Sequence, residues 1–510
     1  MPPAGTATAD TRGPSYSLGR RVKAGPVAIV DIGSNSVRLV IYENFSRTPA
    51  VVHNEKAICA IGRNMVSTGR LNDEGIEMAL EALGRFRMLA DAHKCEMRDA
   101  VATAAARDAE NGAEFVKKAE QLWGGAIRIL SGEEEARLAA EGVLAGTPDA
   151  DGLVADLGGG SLDVVTVRRG KTGAAMTFPF GPLRLMDQSK DDPDKARKLV
   201  DRGLEGLSKL GDLSGRSLYA VGGAWRSFAR IDMEYRHYPL HVLHEYPIPR
   251  GRAVDLCQVL SRQSKKSLDL MRVVSRRRAE ALPYGAVVLE RLLLATGIKD
   301  VIVSAYGVRE GLLFASLPQD EREKDPLIEF ATATNNRISR APGHAEEMYE
   351  WMSPLFPGEK EPDRRIREAI CLFSDIGWRR HPDDRAVGAF NQVVTAPFAG
   401  ATHRERALIA TAIFHRYSGD EDFPRDIHAH DLLNEDDDRL ARRIGLAARL
   451  AFAITASAER ELPHYPLRFT PTRILLDVSR RRERIAGEPV QKRLGALAAL
   501  LERKGEILIG

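Results

Sequence analysis

One short pattern occurs twice in this chain, and any fold must account for both copies. In VAIVDIGSNSVRLVIYE (27–43) two β-rich runs flank a Gly-Ser-Asn-Ser turn, and LVADLGGGSLDVVTVRRG (153–170) repeats the theme. When the two are aligned, Asp31, Gly33 and Ser36 lie over Asp156, Gly158 and Ser161, inside strands of the same apolar character. Each copy reads as strand, tight turn and strand, a hairpin. Such a repeat predicts an internal duplication, with two α/β lobes facing each other across a cleft.

Around these hairpins the first lobe is expected over 26–146 and the second over 147–319, after a flexible tail at 1–25 rich in small, polar and helix-breaking residues. In the first lobe the spacing predicts a helix over 72–94, a strand in DAVATAAA (99–106) ending near Arg107, a helix over 108–122, the strand AIRIL (126–130) and a helix from about 132 to 144. The second lobe carries a third glycine turn, YAVGGAW (219–225), and a final strand in DVIVSAYGVREGLL (300–313). Beyond 320 strand signals become rare and helical spacing dominates 344–460, so 320–510 reads as a mostly helical domain with a small strand-bearing end at 465–510.

Composition excludes several classes. The 510 residues hold 74 Lys and Arg against 71 Asp and Glu, and a net charge of +3 does not call for nucleic acid as a partner. No stretch reaches about 18 uncharged apolar residues, and the first 25 residues hold no apolar run able to serve as a signal-peptide core. No membrane association is therefore expected, and a cytoplasmic location is. Cys59, Cys95, Cys257 and Cys371 form no CxxC pair, which suggests neither a zinc site nor a disulfide framework.

Glycine turns between strands can aim successive backbone N–H groups into one concavity, which suits phosphate oxygens. Asp31 and Asp156, just before the two turns, could hold Mg²⁺ or take part in buried salt bridges. The third turn, at Gly222 and Gly223, has a strand before it and a helix after it; it could set a helix N-terminus against an anion, or be simple turn geometry. In Ser131-Gly-Glu-Glu-Glu-Ala-Arg, Ser131 as N-cap puts Glu134 at N3 of a capping box and Glu133 at N2, where it favours the helix dipole. Glu135 has no such role. If it faces the cleft it can accept a proton from an attacking water, although spacing alone favours a solvated side chain.

The motifs DIGSNSVRL, SGEEEAR, DLGGGSLDVV and VSAYGVREGLL, in this order, resemble the exopolyphosphatase and guanosine pentaphosphate phosphohydrolase family, strongly over about 26–318. The resemblance implies two duplicated ribonuclease-H-like lobes of the actin, sugar-kinase and chaperone superfamily facing a cleft, followed by a mostly helical, HD-like C-terminal domain. It implies Glu135 as catalytic base and Asp156 as a holder of the metal. Phosphate loops fall at Ser34 and Asn35 and at Gly158, Gly159, Gly160 and Ser161, and Arg107 beside Thr103 would bind the terminal phosphate. Where the family more often has Glu, this chain has Asp163, one methylene shorter.

Two further departures concern the third turn and the helical domain. Trp225 would crowd a nucleoside, or would cap a core beneath its helix. Ser374-Asp375 stands where an HD centre needs His-Asp, so His344, His381, His403 and His415 read as core or surface residues. Basic runs at 276–278, 379–380 and 480–482 could line a channel for a polyanion. The resulting expectation is Mg²⁺-assisted hydrolysis of inorganic polyphosphate by a homodimer, the metal held by Asp156, Asp163 and Asp31. A guanosine pentaphosphate phosphohydrolase and a non-catalytic polyphosphate- or nucleotide-binding regulator are the alternatives.

Overall fold

The computed structural model describes residues 25–269, 271, 279–419, 423 and 427–510; the expected tail up to residue 24 and the arginines at 276–278 lie outside the described residues. The chain forms two compact units. One holds the residues up to Ile231 together with Pro247–Glu323, and the other holds Asp232–Tyr246 with Lys324–Gly510.

The first unit contains both copies of the repeat. Strands β1 (Val27–Ile32), β2 (Val37–Tyr42), β3 (Val51–Ala57), β4 (Met97–Ala102) and β5 (Arg128–Ile129) form a sheet of order β3-β2-β1-β4-β5. Strands β6 (Gly152–Leu157), β7 (Leu162–Arg168), β8 (Lys171–Phe178), β9 (Ser217–Gly222), β10 (Tyr246–Pro249) and β11 (Asp300–Val303) form a second, of order β10-β11-β9-β6-β7-β8. In each, three antiparallel strands are followed by strands parallel to the first: β4 and β5 after β1, β9 and β11 after β6. The duplication is thus one of topology as well as of motif.

Two expected strands are shorter than their apolar runs. Strand β4 stops at Ala102, and Ala104–Asp108 is a short helix carrying Arg107. Three consecutive alanines favour a helix once Thr103, in extended conformation, has ended the strand. Likewise β11 stops at Val303 and Val308–Ser316 is a helix, with Val308, Leu312 and Leu313 on its buried side.

Alternate residues of β1 feed two cores. Ala28, Val30 and Ile32 pack with Phe86 and Trp123 from the helices Asp73–Ala92 and Gly112–Trp123. Val27 and Ile29 join a cluster that also takes Val154 and Val165 from the second sheet, with Ala136, Ala140 and Val143 of the helix Gly132–Gly146 between them. That helix is therefore shared by both lobes. It meets the helix Val308–Ser316 through glycines: a β-carbon at Gly311 would lie 1.8 Å from the Leu138 carbonyl oxygen, and one at Gly142 2.1 Å from that of Gly307. Overpacking of this kind costs about 1–3 kcal/mol or more because backbone must move. Gly311→Ala is expected to lower the unfolding free energy by about 1–3 kcal/mol or more, seen as a lower urea midpoint, and an unchanged midpoint would mean that the helices can separate without cost.

The second unit is mostly helical, with its longest helices at His403–Tyr417 and Glu435–Thr455 and a small sheet of β12 (Leu467–Phe469), β13 (Arg473–Val478) and β14 (Lys504–Ile509). Ser374 is buried and donates to the Ile370 carbonyl at 2.7 Å, while both oxygens of Asp375 are taken by Arg340, at 2.6 and 3.1 Å. A carboxylate so held is poorly disposed to ligate a metal. His403 donates from Nε2 to the His244 carbonyl at 2.9 Å, so its Nδ1 accepts from the Tyr238 hydroxyl at 3.0 Å. His344 contacts Thr455 Oγ1 at 2.8 Å, and His415 lies against Phe414; His381 is exposed. In two of the expected basic runs one arginine is paired with an acid, Arg380 with Asp384 at 3.3 Å and Arg482 with Glu461.

Burial pulls the pKa of His344, His403 and His415 down from 6.5 to about 4 in each case. Between those values only the unfolded chain takes up these protons, so the stability present above pH 6.5 is lost as pH falls toward 4. Urea unfolding followed between pH 6.5 and 5, where most carboxylates remain ionised, is expected to show an uptake of roughly three protons by this unit. A pH-independent midpoint for this unit's own transition would contradict the burial of these imidazoles in neutral form.

Candidate active site

The two hairpin turns close on themselves by the same bond: Gly33 N donates to the Ser36 carbonyl at 3.0 Å, and Gly158 N to that of Ser161 at 3.0 Å. The first turn is held from behind, its Ser34 and Asn35 carbonyls accepting from Gly62 (2.9 Å) and from Cys59 and Ala60 (3.2 and 3.0 Å). The turns face each other closely. A β-carbon at Gly159 would lie 3.1 Å from Ser34 Cβ, and one at Gly160 3.2 Å from Ser34 Oγ. Gly222, at φ 114°, approaches β6 so closely that a β-carbon would sit 2.4 Å from the Leu157 carbonyl oxygen, which explains that glycine without a ligand.

Between the turns is a cavity of about 170 Å³. Ser34, Asn35, Gly158 and Gly159 line it, as do Gly222 and Gly223 of the third turn; Asp31, Asp156 and Glu135 supply its carboxylates. Gly160, Ser161, Asp163 and Arg107 are not part of its lining. Ser161 is buried and donates from Oγ to Asp163 Oδ2 at 2.7 Å.

Glu134 and Glu133 take the places their spacing predicts, and Glu135 does not. Glu134 Oε2 accepts from Ser131 N at 2.8 Å and Glu134 N donates to Ser131 Oγ at 3.2 Å, completing the capping box. Glu133 pairs with Arg137 at 2.8 Å on the surface. Glu135 is only 6% exposed, so the solvated reading that spacing favoured is overturned. Its Oε2 is buried with no hydrogen-bond partner among the described residues. Burial, then Asp163 and Asp156, push its carboxyl well above the usual range, opposed by Arg107. Arg107 Nη1 lies 3.7 Å from Glu135 Oε2, but its fork also serves the Leu130 carbonyl (2.9 Å) and Asp108 (3.0 Å).

The hairpin register places charges differently in the two copies. Asp31 stands opposite Arg38 on the neighbouring strand, whereas Asp156 stands opposite Asp163. Like charges at opposed positions repel. Burial, reinforced by Asp163, raises Asp156 to about 7, and burial raises Asp163, itself 1% exposed, to about 6. Asp31 instead forms the salt bridge that was its alternative reading, with Arg309 Nη1 at 2.9 Å.

Arg38, Lys56, Arg226 and Arg309 complete a cationic wall. Burial and then Arg309 pull Arg226 down to about 10, while Glu310 and Asp31 outweigh burial and raise Arg309. Sequence reasoning assigned none of these four a role. Arg309 and Arg226 each sit in the first turn of a helix, where a cation opposes the dipole, and that local conflict was the available signal.

Among the described residues no group of three or more His, Cys, Asp or Glu side chains forms a ready metal cage. Mg²⁺ does not require one, since it keeps several waters and binds through one or two carboxylates. The repelling Asp156 and Asp163 and the orphaned oxygens Asp163 Oδ1 and Glu135 Oε2 fit a divalent cation at this point.

Residues 25–320 match the model of the Ppx/GppA phosphatase family, and 327–508 match that of the exopolyphosphatase C-terminal domain. The chain belongs to the Ppx/GppA phosphatase family. It is accordingly a hydrolase. It is 28% identical to exopolyphosphatase 2 of Mycobacterium tuberculosis over 309 residues, 56% of this chain and 97% of that protein. It is 25% identical to retrograde regulation protein 2 of Saccharomyces cerevisiae over 439 residues, 77% of this chain and 72% of that protein. A crystal structure of an exopolyphosphatase from Cytophaga hutchinsonii shares the fold at TM-score 0.53 and 21% identity, covering 57% of this chain and 97% of that one. The Ppx/GppA lobes here bury Trp225, 1% exposed, with Nε1 donating to the Gly285 carbonyl at 2.9 Å. Trp225 therefore caps a core and does not crowd the cleft. No helix among the described residues is long and apolar enough to cross a membrane.

Proposed function

We propose that this chain is an exopolyphosphatase that hydrolyses the terminal phosphoanhydride of inorganic polyphosphate and releases orthophosphate. The observation that carries this reading is Glu135: a buried carboxylate with an unpartnered oxygen, lining a cavity between two facing glycine turns. In that position Glu135 orients a water and takes its proton as the water oxygen bonds to the terminal phosphorus. The bond from that phosphorus to the bridging oxygen breaks, and the shortened chain leaves with the electron pair. Ser34, Asn35, Gly158 and Gly159 present donors to the terminal phosphoryl group, while Gly160 and Ser161 shape the second turn and Ser161 holds Asp163. Arg309, Arg226 and Arg38 neutralise charge on the phosphates, where most of the rate enhancement is expected to arise.

Arg107 acts here on Glu135, holding its charge and direction; a direct contact with phosphate would require it to exchange its present bonds to Leu130 and Asp108. Asp156 and Asp163 would hold Mg²⁺, and Asp31, paired with Arg309, would reach it only through a bound water. The metal supplies charge neutralisation to the phosphoryl oxygens when bound.

With Trp225 in the core, the preference for polyphosphate over guanosine pentaphosphate rests on the relatives named exopolyphosphatase. A relative named for regulation keeps a binding-only role as the contrasting reading. Orthophosphate release from long-chain polyphosphate and from guanosine pentaphosphate, assayed side by side with and without Mg²⁺, separates the three. The expected result is Mg²⁺-dependent release with the higher kcat/KM on polyphosphate. Equal or reversed efficiencies would favour the nucleotide enzyme, and no release from either would favour the regulator.

A further inference from the structure

The helical unit carries a groove of about 620 Å³ walled by the helix His344–Trp351 and the segment 459–467. Its apolar lining is stiff, made of the buried Trp351, Leu462 and Leu467 and the exposed prolines Pro354, Pro463 and Pro466. Trp351 is fixed by its Nε1 bond to the Tyr465 carbonyl at 2.7 Å. The rim is acidic, with Glu346, Glu347, Glu350 and Glu459, and the lining has one cationic side chain, Arg460.

These carboxylates have no Lys or Arg partner among the described residues. Glu459 accepts from Gly343 N at 2.8 Å and Glu347 Oε1 from Arg460 N, both backbone groups. Glu347 Oε2 is buried and has no hydrogen-bond partner among the described residues. An acidic rim repels a polyanion, so the groove is no part of a polyphosphate path, and its reading is independent of the substrate proposed above.

We propose that this groove is a docking site for a basic peptide segment of a partner protein, with arginine or lysine head groups at the glutamate rim and apolar side chains on the proline and leucine floor. Lysine and arginine match both parts, since their stems lie on apolar surface while the charged head reaches the carboxylates. A small polyamine would satisfy the rim but would cover the floor only with a thin methylene chain. The rigid prolines keep the surface formed before binding, which reduces the ordering cost of association.

The test is fluorescence anisotropy of the full-length protein with a labelled six-residue peptide of alternating leucine and arginine, with the leucine and glutamate peptide as control. Binding of the basic peptide alone, weakening with added salt, is expected. The variant E346Q/E350Q changes two exposed side chains and should keep the fold; it is expected to weaken binding about tenfold, as loss of rim charges does. E347Q, which removes the charge on the buried oxygen, is expected to weaken it at least as much. No binding, equal binding of the acidic peptide, or unchanged affinity in both variants would overturn the proposal. Displacement by spermidine at the concentration where the peptide itself binds would overturn it in favour of a small polycation site.

Discussion

Glu135→Gln is expected to lower kcat on polyphosphate by about 10² to 10⁴-fold, the usual worth of general-base catalysis, with little change in affinity for the substrate. The substitution keeps the shape of the side chain and removes its capacity to take a proton. In the proposed complex the phosphate contacts come from the turns and from the arginines opposite, so binding is expected to persist. Glu134→Gln is the internal control, because its carboxylate is spent on Ser131 N in the capping box. It should cost stability of about 1 kcal/mol or less and leave turnover nearly intact. Loss of turnover in the Glu134 variant with retention in the Glu135 variant would invert the assignment.

Asp156→Asn is expected to abolish most activity, at least 10²-fold, and at the same time to stabilise the metal-free protein at pH 8. The two effects share one cause. Burial and the opposed Asp163 raise Asp156 to about 7, so at pH 8 the folded state carries an ionised carboxylate that it resists. Removing the charge should gain about 1–3 kcal/mol in protein treated with chelator, allowing for partial solvent access at the cleft. The gain should fade as pH falls from 7 toward 4, where Asp156 of the unsubstituted protein takes up its proton in the folded state before the unfolded one does. Calorimetry of the two proteins at pH 8 and pH 5 checks this. A variant that is inactive and also less stable at pH 8 would mean that Asp156 is held by a favourable contact instead of by repulsion.

Much of this site was legible in the sequence because it depends on local chemistry. The turn signals around Gly33 and Gly158 are short-range, and the two closing bonds are alike at 3.0 Å. Glu135 could be singled out because its two neighbours had capping and dipole roles to fill. What the sequence hid depends on distant pairing: Asp31 meets Arg309 across 278 residues of chain, and no spacing rule connects them. The burial of Trp225 was hidden for the same reason, since its partner is the Gly285 carbonyl. The strand expected through 99–106 failed differently. Its apolar residues are alanines, which suit a helix as well as a buried strand, and Thr103 decided the boundary.

In the proposed reaction a water held by Glu135 attacks the terminal phosphorus of polyphosphate. Turnover in ¹⁸O-enriched water tests it directly, with the released orthophosphate and the remaining chain analysed by mass spectrometry. One ¹⁸O in each orthophosphate released, none in the shortened chain before its next turnover, and loss of the labelled product in Glu135→Gln is the predicted result. Label in the shortened chain, release of internal fragments, or unchanged labelled product from Glu135→Gln would contradict it.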